Sequence, residues 1–540
     1  MKRSSSSILF ILLVYNVLFS PIHAAEWQWS VQIKSVVSDE TNDHPRAFLW
    51  IPSNCMQVKA VIIGQHNMLE EGILENSSFR SKMTELGIAE IWLTPGIDQL
   101  WDPKGNAQQI FNAMLDTLAE VSGYTELRHT PVIPIGHSAM ATYPWNFAAQ
   151  NSERTLAVLS IHGDAPSTNL TGFGRPNLDW SKLSIDGIPG LMVEGEYEWW
   201  EARVQPGLDY KNSHPKSCVS FLCDAGRGHF DYSEQLVKYL CLFIEKVVKY
   251  RLPEFLPVDK PAKLIPVDPQ KGWLASRWIK DTQPEFPAAP FANYKGTREN
   301  AFWYFDKEIA RETERIYTLQ RGKKEQYIGF VQNGKLLDFN PKLHARVLGV
   351  FAPEKDGITF HISAAYTDTF RKCLINDHAV TPIAVTRICG PVEKLNDTTF
   401  TLSFYRMGLN NSKRTGDIWL IATSNGDKNY KSTVQQLNIK IPYPNDEGKP
   451  QSIIFEPLPN IKKPVSSISL KAVSSEGLPV NYYVQEGPAE IKDGRLIISA
   501  IPPRAKFPIR ITVVAWQYGS PVQPKVKTAE SVVQSFYIEK

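Results

Sequence analysis

Residues 130–141 of this chain read TPVIPIGHSAMA, and this stretch decides the predicted fold. Residues 132–135 form a short apolar run that is typical of a buried strand. The run leads into Gly136, and Ser138 then precedes small residues that continue into a predicted helix. A sharp turn between a strand and a helix exposes a serine hydroxyl, and it needs small neighbours because the backbone is crowded there. The stretch therefore predicts a nucleophilic serine at the carboxyl end of a strand.

Predicted strands and helices alternate on both sides of this turn. Strands are expected at residues 27–33, 47–51, 60–64, 88–94, 132–135, 156–161, 190–194 and 219–223, and helices at 77–86, 107–121 and 232–250. Continuous apolar runs such as residues 60–64 are typical of strands that are buried on both faces. The alternation predicts an α/β fold, with a mostly parallel sheet that helices cover on both sides.

Two later strands are followed by groups that could activate the serine. A serine hydroxyl is a poor nucleophile at neutral pH, so it needs an adjacent base. His229 lies in a glycine-containing loop after the last predicted strand, and its ring is the candidate base. The preceding strand runs into Glu194, Glu196 and Glu198. A buried carboxylate at this place would orient the imidazole and stabilise the imidazolium that forms during the reaction.

With the chain order serine, acid, histidine, residues 27–250 resemble the α/β-hydrolase superfamily and, more narrowly, its serine esterases. The resemblance implies a catalytic triad of Ser138, His229 and an acid a few residues beyond a strand-ending glycine. That position favours Glu198, while Glu196 and Glu194 stay open as alternatives. The resemblance also implies an oxyanion hole made by two main-chain amides, which map to Ala139 and to the 65–67 stretch, with His66 as the candidate.

The chain departs from the family pattern at two positions. Met140 stands where a glycine or another small residue is usual, and a bulky side chain there can displace the helix from the sheet. The acid is a glutamate, whereas aspartate is commoner in the family. His66 and His162 also end strands at this edge, and we interpret their rings as hydrogen-bonded loop groups.

The first 24 residues have the pattern of a signal peptide. Lys2 and Arg3 precede an apolar run at residues 8–19, and Ala24 ends the segment with a small residue. The pattern predicts export to the periplasm or the extracellular space, with no membrane span after cleavage. A single membrane anchor is the alternative, although the apolar run is short for crossing a bilayer.

Composition changes along the chain divide the rest into predicted domains. Residues 25–251 form the hydrolase domain, and the proline-rich residues 252–269 are interpreted as a linker. Residues 270–457 carry short β-like segments and one helix near residues 307–317, which indicates a β-rich sandwich. Residues 458–540 resemble the small immunoglobulin-like modules that end many secreted bacterial proteins.

Charge and cysteine content exclude some classes of function. The net charge is +3 with no long basic run, which argues against a nucleic-acid partner. No cluster of histidine or acidic residues has the spacing of metal ligands, so no metal or other cofactor is predicted. The six cysteines are too scattered for a disulfide scaffold. Pairing among Cys218, Cys223 and Cys241, or of Cys373 with Cys389, stays open.

The length of one connection indicates the kind of substrate. Residues 162–189, between two predicted strands, leave no room for a helical cap, so we expect an open site that suits a bulky or polymeric substrate. Nine of the fourteen tryptophans precede residue 201, and Trp199 is a candidate for stacking on a sugar ring. Arg227, two residues before His229, is a candidate partner for a uronate carboxylate.

These observations together predict an exported serine carboxyl-ester hydrolase that acts through an acyl-enzyme. The expected substrate is an acyl or methyl ester on a polysaccharide, or another acyl ester. Two alternatives stay open: a serine peptidase on the same fold, and a catalytically inactive protein that binds surfaces or glycans.

Overall fold

The computed structural model describes residues 26–172, 175–406, 411, 413–462 and 466–540. The predicted signal peptide, residues 1–24, lies outside these described residues. Within the described ranges, no helix combines the length and the apolar character that crossing a bilayer requires.

An eight-stranded sheet dominates the amino-terminal part of the molecule. Its strands are β1 (Trp29–Gln32), β2 (Arg46–Trp50), β3 (Ala60–Gln65), β4 (Ile88–Thr94), β5 (Val132–His137), β6 (Val158–Ile161), β7 (Pro189–Gly195) and β8 (Cys218–Asp224). Their order across the sheet is β1-β2-β4-β3-β5-β6-β7-β8. Strand β2 is antiparallel to both of its neighbours, and all the other pairs are parallel.

Helices cover both faces of this sheet. They are α1 (Glu70–Leu74), α2 (Ser77–Leu86), α3 (Ala107–Ser122), α4 (Tyr143–Gln150), α5 (Glu201–Ser213) and α6 (Glu234–Arg251). In β3, Ala60 and Ile62 pack with α2 and α6, whereas Val61 and Ile63 point to the other face and pack with α3. Every residue of β3 is buried for this reason. The predicted α/β-hydrolase fold class is confirmed.

The core beneath α5 and α6 continues into residues beyond the eight-stranded sheet. Strands β9 (Trp273–Ser276), β10 (Ala289–Pro290) and β11 (Ala301–Tyr304) form a three-stranded sheet, and α7 (Lys307–Thr318) follows it. Ser220 Oγ in β8 donates to the Trp303 carbonyl at 2.6 Å, and Tyr304 Oη donates to the Phe221 carbonyl at 2.6 Å. These residues therefore complete the hydrophobic core of the sheet. The predicted domain boundaries stay a prediction.

The remainder of the chain forms several small sheets. Its strands are β12 (Tyr327–Gln332), β13 (Lys335–Leu336), β14 (Leu348–Val350), β15 (Thr359–His361), β16 (Ser363–Thr367), β17 (Ala384–Cys389), β18 (Val392–Lys394), β19 (Thr399–Leu402), β20 (Asp417–Ser424), β21 (Thr433–Lys440), β22 (Ile453–Phe455), β23 (Ile461–Lys462), β24 (Ser467–Ser469), β25 (Ala472–Ser474), β26 (Asn481–Glu486), β27 (Ala489–Lys492), β28 (Arg495–Ile498), β29 (Ile509–Trp516) and β30 (Val532–Glu539). Most pairs are antiparallel; β14–β21 and β23–β30 are parallel. The prediction of a carboxyl-terminal part rich in β-sheet is confirmed. We call residues 324–540 the β region.

The β region packs on the eight-stranded sheet through ionic contacts, of which the first is fully buried and the second partly exposed. The Arg406 guanidinium, 2% exposed, lies 3.1 Å from Glu71 Oε1 and also contacts Glu75, both near α1. Farther along the chain, Arg504 Nη1 lies 2.8 Å from Glu126 Oε1. Removing one partner of a buried ion pair is strongly destabilising. These contacts therefore fix the β region against the sheet.

Candidate active site

The turn after β5 places Ser138 at the carboxyl edge of the sheet. Ser138 has a φ of +51°, a left-handed conformation that is uncommon for a residue with a side chain. A Cβ atom at Gly136 would lie 2.0 Å from the Met140 carbonyl oxygen, and one at Gly163 would lie 1.8 Å from Ala141 Cβ. Such close approaches require glycine at both positions. Strained backbone of this kind is typical of functional turns.

Met140 does not displace helix α4 from the sheet. The side chain is buried, and its terminal methyl group reaches toward Gly96 in the loop after β4. A Cβ at Gly96 would lie 2.5 Å from Met140 Cε, so the missing side chain of Gly96 makes room for the methionine. The glycine at position 96 thus compensates for the large side chain at position 140.

Three predicted residues from different parts of the chain meet at this edge. His229 Nε2 lies 2.8 Å from Ser138 Oγ, within hydrogen-bond distance. On the other side of the ring, His229 Nδ1 contacts Glu198 Oε2. Glu198 belongs to the turn after β7, and His229 lies in the loop after β8. The hydroxyl, imidazole and carboxylate are therefore arranged in the order that general-base activation of a serine requires.

The structure distinguishes among the three glutamates of this segment. Glu198 is the one whose carboxylate contacts the His229 ring. Glu194 is buried 3.4 Å from Arg203 Nη1, and burial raises its pKa well above the usual range. Glu196 instead pairs with Lys431 of the β region at 2.8 Å. Geometry thus favours Glu198 as the candidate acid.

The charge on Glu198 is stabilised by two histidines. Burial alone raises the pKa of a carboxyl, but the adjacent rings of His229 and His162 hold the pKa of Glu198 well below its usual range. Burial lowers the pKa of His229 below its ordinary value, and Glu198 offsets this in part. The His229 ring is therefore neutral at pH 7, as a general base must be.

His162 is a neighbour of the site whose role the sequence did not reveal. It follows β6 with a φ of +50°, is fully buried, and places Nδ1 in contact with Glu198 Oε1. Its Nε2 lies 3.4 Å from the Asp231 carbonyl oxygen. Burial lowers the pKa of His162, but the contact with Glu198 outweighs burial and raises it. Its position at the end of a strand was the one sequence signal for this role.

Two further buried side chains, those of His137 and Glu70, hold the backbone around the serine turn. The His137 ring Nε2 donates to the His229 carbonyl at 2.9 Å, so it holds the backbone of the histidine loop. Glu70 Oε1 accepts the His137 amide at 2.7 Å, and Glu70 Oε2 accepts the amides of Asn67 and Met68, each at 3.1 Å. Burial raises the pKa of Glu70 to about 7.

The main-chain hydrogen bond of His66 contradicts its predicted role in the oxyanion hole. The main-chain amide of His66 donates to the Leu93 carbonyl at 2.8 Å, as part of the β3–β4 pairing. An amide engaged in the sheet does not point at a substrate oxygen, so His66 is not the second donor. The ring of His66 is buried 3.2 Å from Thr94 Oγ1. Ala139, which follows Ser138 in the turn, is still a candidate donor.

The two predicted substrate-binding residues have structural contacts instead. Arg227 Nη1 lies 3.1 Å from Asp231 Oδ2, and Nη2 donates to Asn425 Oδ1 at 2.8 Å, so the guanidinium joins the histidine loop to the β region. Trp199 packs against Trp278, with ring centroids 4.7 Å apart, and against Phe221. Neither environment supports the predicted contacts with a sugar or a uronate.

A residue of the β region also lies beside the candidate base. His344, an exposed residue of the β region, has its ring 6.2 Å from the His229 ring and 5.0 Å from Phe230. Trp419 packs on Phe230 at 5.1 Å. Trp101 and Trp145 are buried in the core.

All six cysteines are free thiols, so neither of the disulfide pairings left open by the sequence is formed. Cys373 is exposed and Cys389 is half-buried, whereas the other four are buried.

Comparison with solved structures finds hydrolases, each with a low score. S-formylglutathione hydrolase from Agrobacterium tumefaciens is 13% identical, with a TM-score of 0.30, over 43% of this chain and 98% of that chain. S-formylglutathione hydrolase from Staphylococcus aureus is 12% identical, with a TM-score of 0.28, over 41% and 97%. Est1E from Butyrivibrio proteoclasticus is 14% identical, with a TM-score of 0.27, over 38% and 95%. No family model matches the sequence, and no curated protein matches it.

Proposed function

We propose that this protein is a serine carboxyl-ester hydrolase in which Ser138, His229 and Glu198 form the catalytic triad. The observation that carries the proposal is the pair of contacts made by the His229 ring. Its Nε2 lies 2.8 Å from Ser138 Oγ, and its Nδ1 contacts the Glu198 carboxylate. Three side chains from separate loops are thus lined up as hydroxyl, imidazole and carboxylate. A nucleophile, a general base and an acid that orients the base require this arrangement.

The reaction has two halves. In the first, Ser138 Oγ attacks the ester carbonyl carbon while His229 Nε2 takes the hydroxyl proton, and the imidazolium is stabilised by Glu198. The tetrahedral intermediate then expels the alcohol, which receives that proton from His229, and the acyl group stays on Ser138. In the second half, water attacks the acyl-enzyme with His229 again as base, and the carboxylic acid leaves as Ser138 recovers its proton.

The oxyanion of each tetrahedral intermediate needs hydrogen-bond donors. We assign one donor to the main-chain amide of Ala139, because it directly follows the nucleophile in the turn. Each such donor contributes about 3 kcal/mol to stabilising the transition state. The amides of His66, Asn67 and Met68 are engaged elsewhere, so a second donor has to come from another group.

A fluorophosphonate probe tests the triad directly, since it phosphonylates only an activated serine. We expect the native protein to be labelled and the adduct to map to the peptide that contains Ser138. Ser138→Ala should abolish both labelling and turnover of a short chromogenic ester. Ser213→Ala, at an exposed serine on α5, is the matched control and should behave like the native protein. Undiminished turnover by Ser138→Ala would end the proposal.

The finer substrate proposal is an acyl or methyl ester on a polysaccharide. It is supported by the signal-peptide pattern of residues 1–24, which predicts export to a compartment where such polymers occur. The exposed ring of His344 adds a polar group 6.2 Å from the His229 ring. Incubation with crude cell-wall polysaccharide should release acetate, methanol or ferulate, detected by mass spectrometry. Release that is equal with Ser138→Ala would refute this substrate class while leaving the triad untouched.

The two alternatives predict different results in the same assays. A serine peptidase would be labelled by the probe but would cleave peptide substrates in preference to esters. An inactive binding protein would not be labelled at all. Met140 and the long β region are the features that favour inactivity; the space that Gly96 leaves for Met140 weakens the first of them.

A further inference from the structure

The loops that carry the candidate acid and base both contact one short segment of the β region, Lys431–Ser432. This segment immediately precedes strand β21. It is separated by 235 residues from Glu196, its partner beside the candidate acid. The triad itself does not use this segment.

Lys431 forms a buried ion pair next to the candidate acid. Its Nζ lies 2.8 Å from Glu196 Oε1, and both side chains are only 2% exposed. A second carboxylate, Asp281, lies 3.1 Å from the same Nζ and is partly exposed. Burial lowers the pKa of an ammonium group, but the two carboxylates outweigh this and raise the pKa of Lys431. Lys431 therefore stays charged at neutral pH.

Glu196 carries this contact on to the histidine loop. Its other oxygen, Oε2, accepts the main-chain amide of Gly226 at 2.8 Å. Next to it, the Tyr197 amide donates to the Arg227 carbonyl at 2.9 Å. Glu198 is two residues away from Glu196, and His229 is three residues away from Gly226. One carboxylate thus joins the acid turn, the histidine loop and Lys431.

Ser432 makes a parallel set of contacts. Its Oγ donates to the Gly226 carbonyl at 3.2 Å, and its own carbonyl accepts the Tyr197 hydroxyl. A Cβ at Gly226 would lie 1.9 Å from Ser432 Oγ, so the glycine is required for this close approach. The amide of Ser432 is held at 2.8 Å by Gln320 Oε1, just beyond α7.

From these contacts we infer that Lys431 is a positioning residue, which sets the distance between the Glu198 turn and the His229 loop. The inference rests on the proposed function. The β region is then part of the active-site framework rather than an appended binding module. The reasoning is geometric: a displacement of catalytic groups by about 1 Å can cost about a hundredfold in rate.

The test compares Lys431→Met and Lys431→Arg with a matched control in the full-length protein. Lys246→Met is the control, because Lys246 is similarly buried, 4% exposed, and its Nζ lies 3.0 Å from Asp306 Oδ2, in contacts that do not involve the triad loops. We expect Lys431→Met to slow fluorophosphonate labelling and kcat by about ten- to a hundredfold, with little change in KM. Lys431→Arg keeps the charge and should recover most of the rate.

Folding of each variant is checked by circular dichroism and thermal unfolding. A folded Lys431→Met variant that is labelled at the native rate would overturn the inference. Where Lys431→Met does not fold, Glu196→Gln replaces it, because it removes the ion pair with Lys431 while Asp281 still faces the ammonium group. Native-rate labelling of folded Glu196→Gln would then overturn the inference.

The failure of the proposed function gives a different result. In that case the native protein itself is not labelled, whatever residue stands at position 431. The positioning role is then tested by NMR of protein with carbon-13-labelled histidine rings. The His229 signal is assigned by substituting His229. An unchanged His229 signal in Lys431→Met would overturn the inference, and a shifted signal that Lys431→Arg restores would support it.

Discussion

Replacing Glu198 with glutamine tests how much the candidate acid contributes through its charge. The substitution keeps the shape of the side chain and removes the negative charge that lies between His229 and His162. His229 becomes cationic while it holds the Ser138 proton, so the carboxylate matters most in the transition state. A neutral amide cannot stabilise that imidazolium to the same extent.

The size of the effect follows from Coulomb's law. Two unit charges about 4 Å apart interact by about 4 kcal/mol at an effective dielectric constant near 20. A factor of ten in rate corresponds to about 1.4 kcal/mol, so we expect Glu198→Gln to slow acylation by about a thousandfold.

His162 should keep the glutamine side chain in place, so that Glu198→Gln loses only the electrostatic contribution to the rate. The glutamine oxygen can face His229 while its amino group faces His162 Nδ1. His162 can accommodate this by keeping its proton on Nε2, which lies 3.4 Å from the Asp231 carbonyl. The His229 tautomer is then preserved. Adding His162→Phe to Glu198→Gln removes this orienting partner, so the double variant should be slower than Glu198→Gln alone.

The assay is the rate of fluorophosphonate labelling under single-turnover conditions, together with turnover of a chromogenic ester. Glu201→Gln is the control, because this carboxylate is 54% exposed and pairs with Arg277. It should retain the native rate. A native rate in folded Glu198→Gln would show that Glu198 is not the acid of the triad.

Three other measurements address the turn, the base and the thiols. Gly136→Ala should lower the free energy of unfolding by about 1–3 kcal/mol in urea and abolish labelling, because the new Cβ would lie 2.0 Å from the Met140 carbonyl; a stable, labelled variant would contradict this geometry. Since burial lowers the pKa of His229 and the neutral ring is the active form, the rate should rise with pH to a midpoint below 6.5, and a midpoint above that value would be inconsistent with the assignment. Cys373 is the exposed cysteine, so a single thiol should react rapidly with Ellman's reagent in the native protein and all six after denaturation; fewer than six would reveal a disulfide.

Much of the hydrolase fold could be predicted from the sequence because its pattern is strong and local. The helix expected at residues 107–121 is Ala107–Ser122, and the one expected at 232–250 is Glu234–Arg251. Both carry a clear apolar stripe on one face. Helix α5 was missed, since Glu201–Ser213 is polar, has no such stripe and contains Pro206.

Only those residues of the candidate site that lie in a recognisable local sequence pattern were predictable. Ser138, Glu198 and His229 each follow a strand, and the carboxyl ends of parallel strands share an edge. Lys431 and His344 come from the β region, and no local pattern marks a residue whose partner lies far away in the chain. The contacts of Arg227 and Trp199 with Asn425 and Trp278 were not predictable for a related reason, because these partners lie far away in the chain.

The contact between Ser30 in β1 and Glu486 in β26 also bears on how the protein is made. These residues are separated by 456 positions. At about 5–20 residues per second, a ribosome needs roughly 20–90 s to travel that far. Ser30 lacks its contact with Glu486 for this time, and Glu196 lacks Lys431 for the shorter time that 235 residues take. A nascent chain that has emerged only as far as α6 thus holds all three triad residues but lacks the contacts that align them, so catalytic competence should appear late in translation.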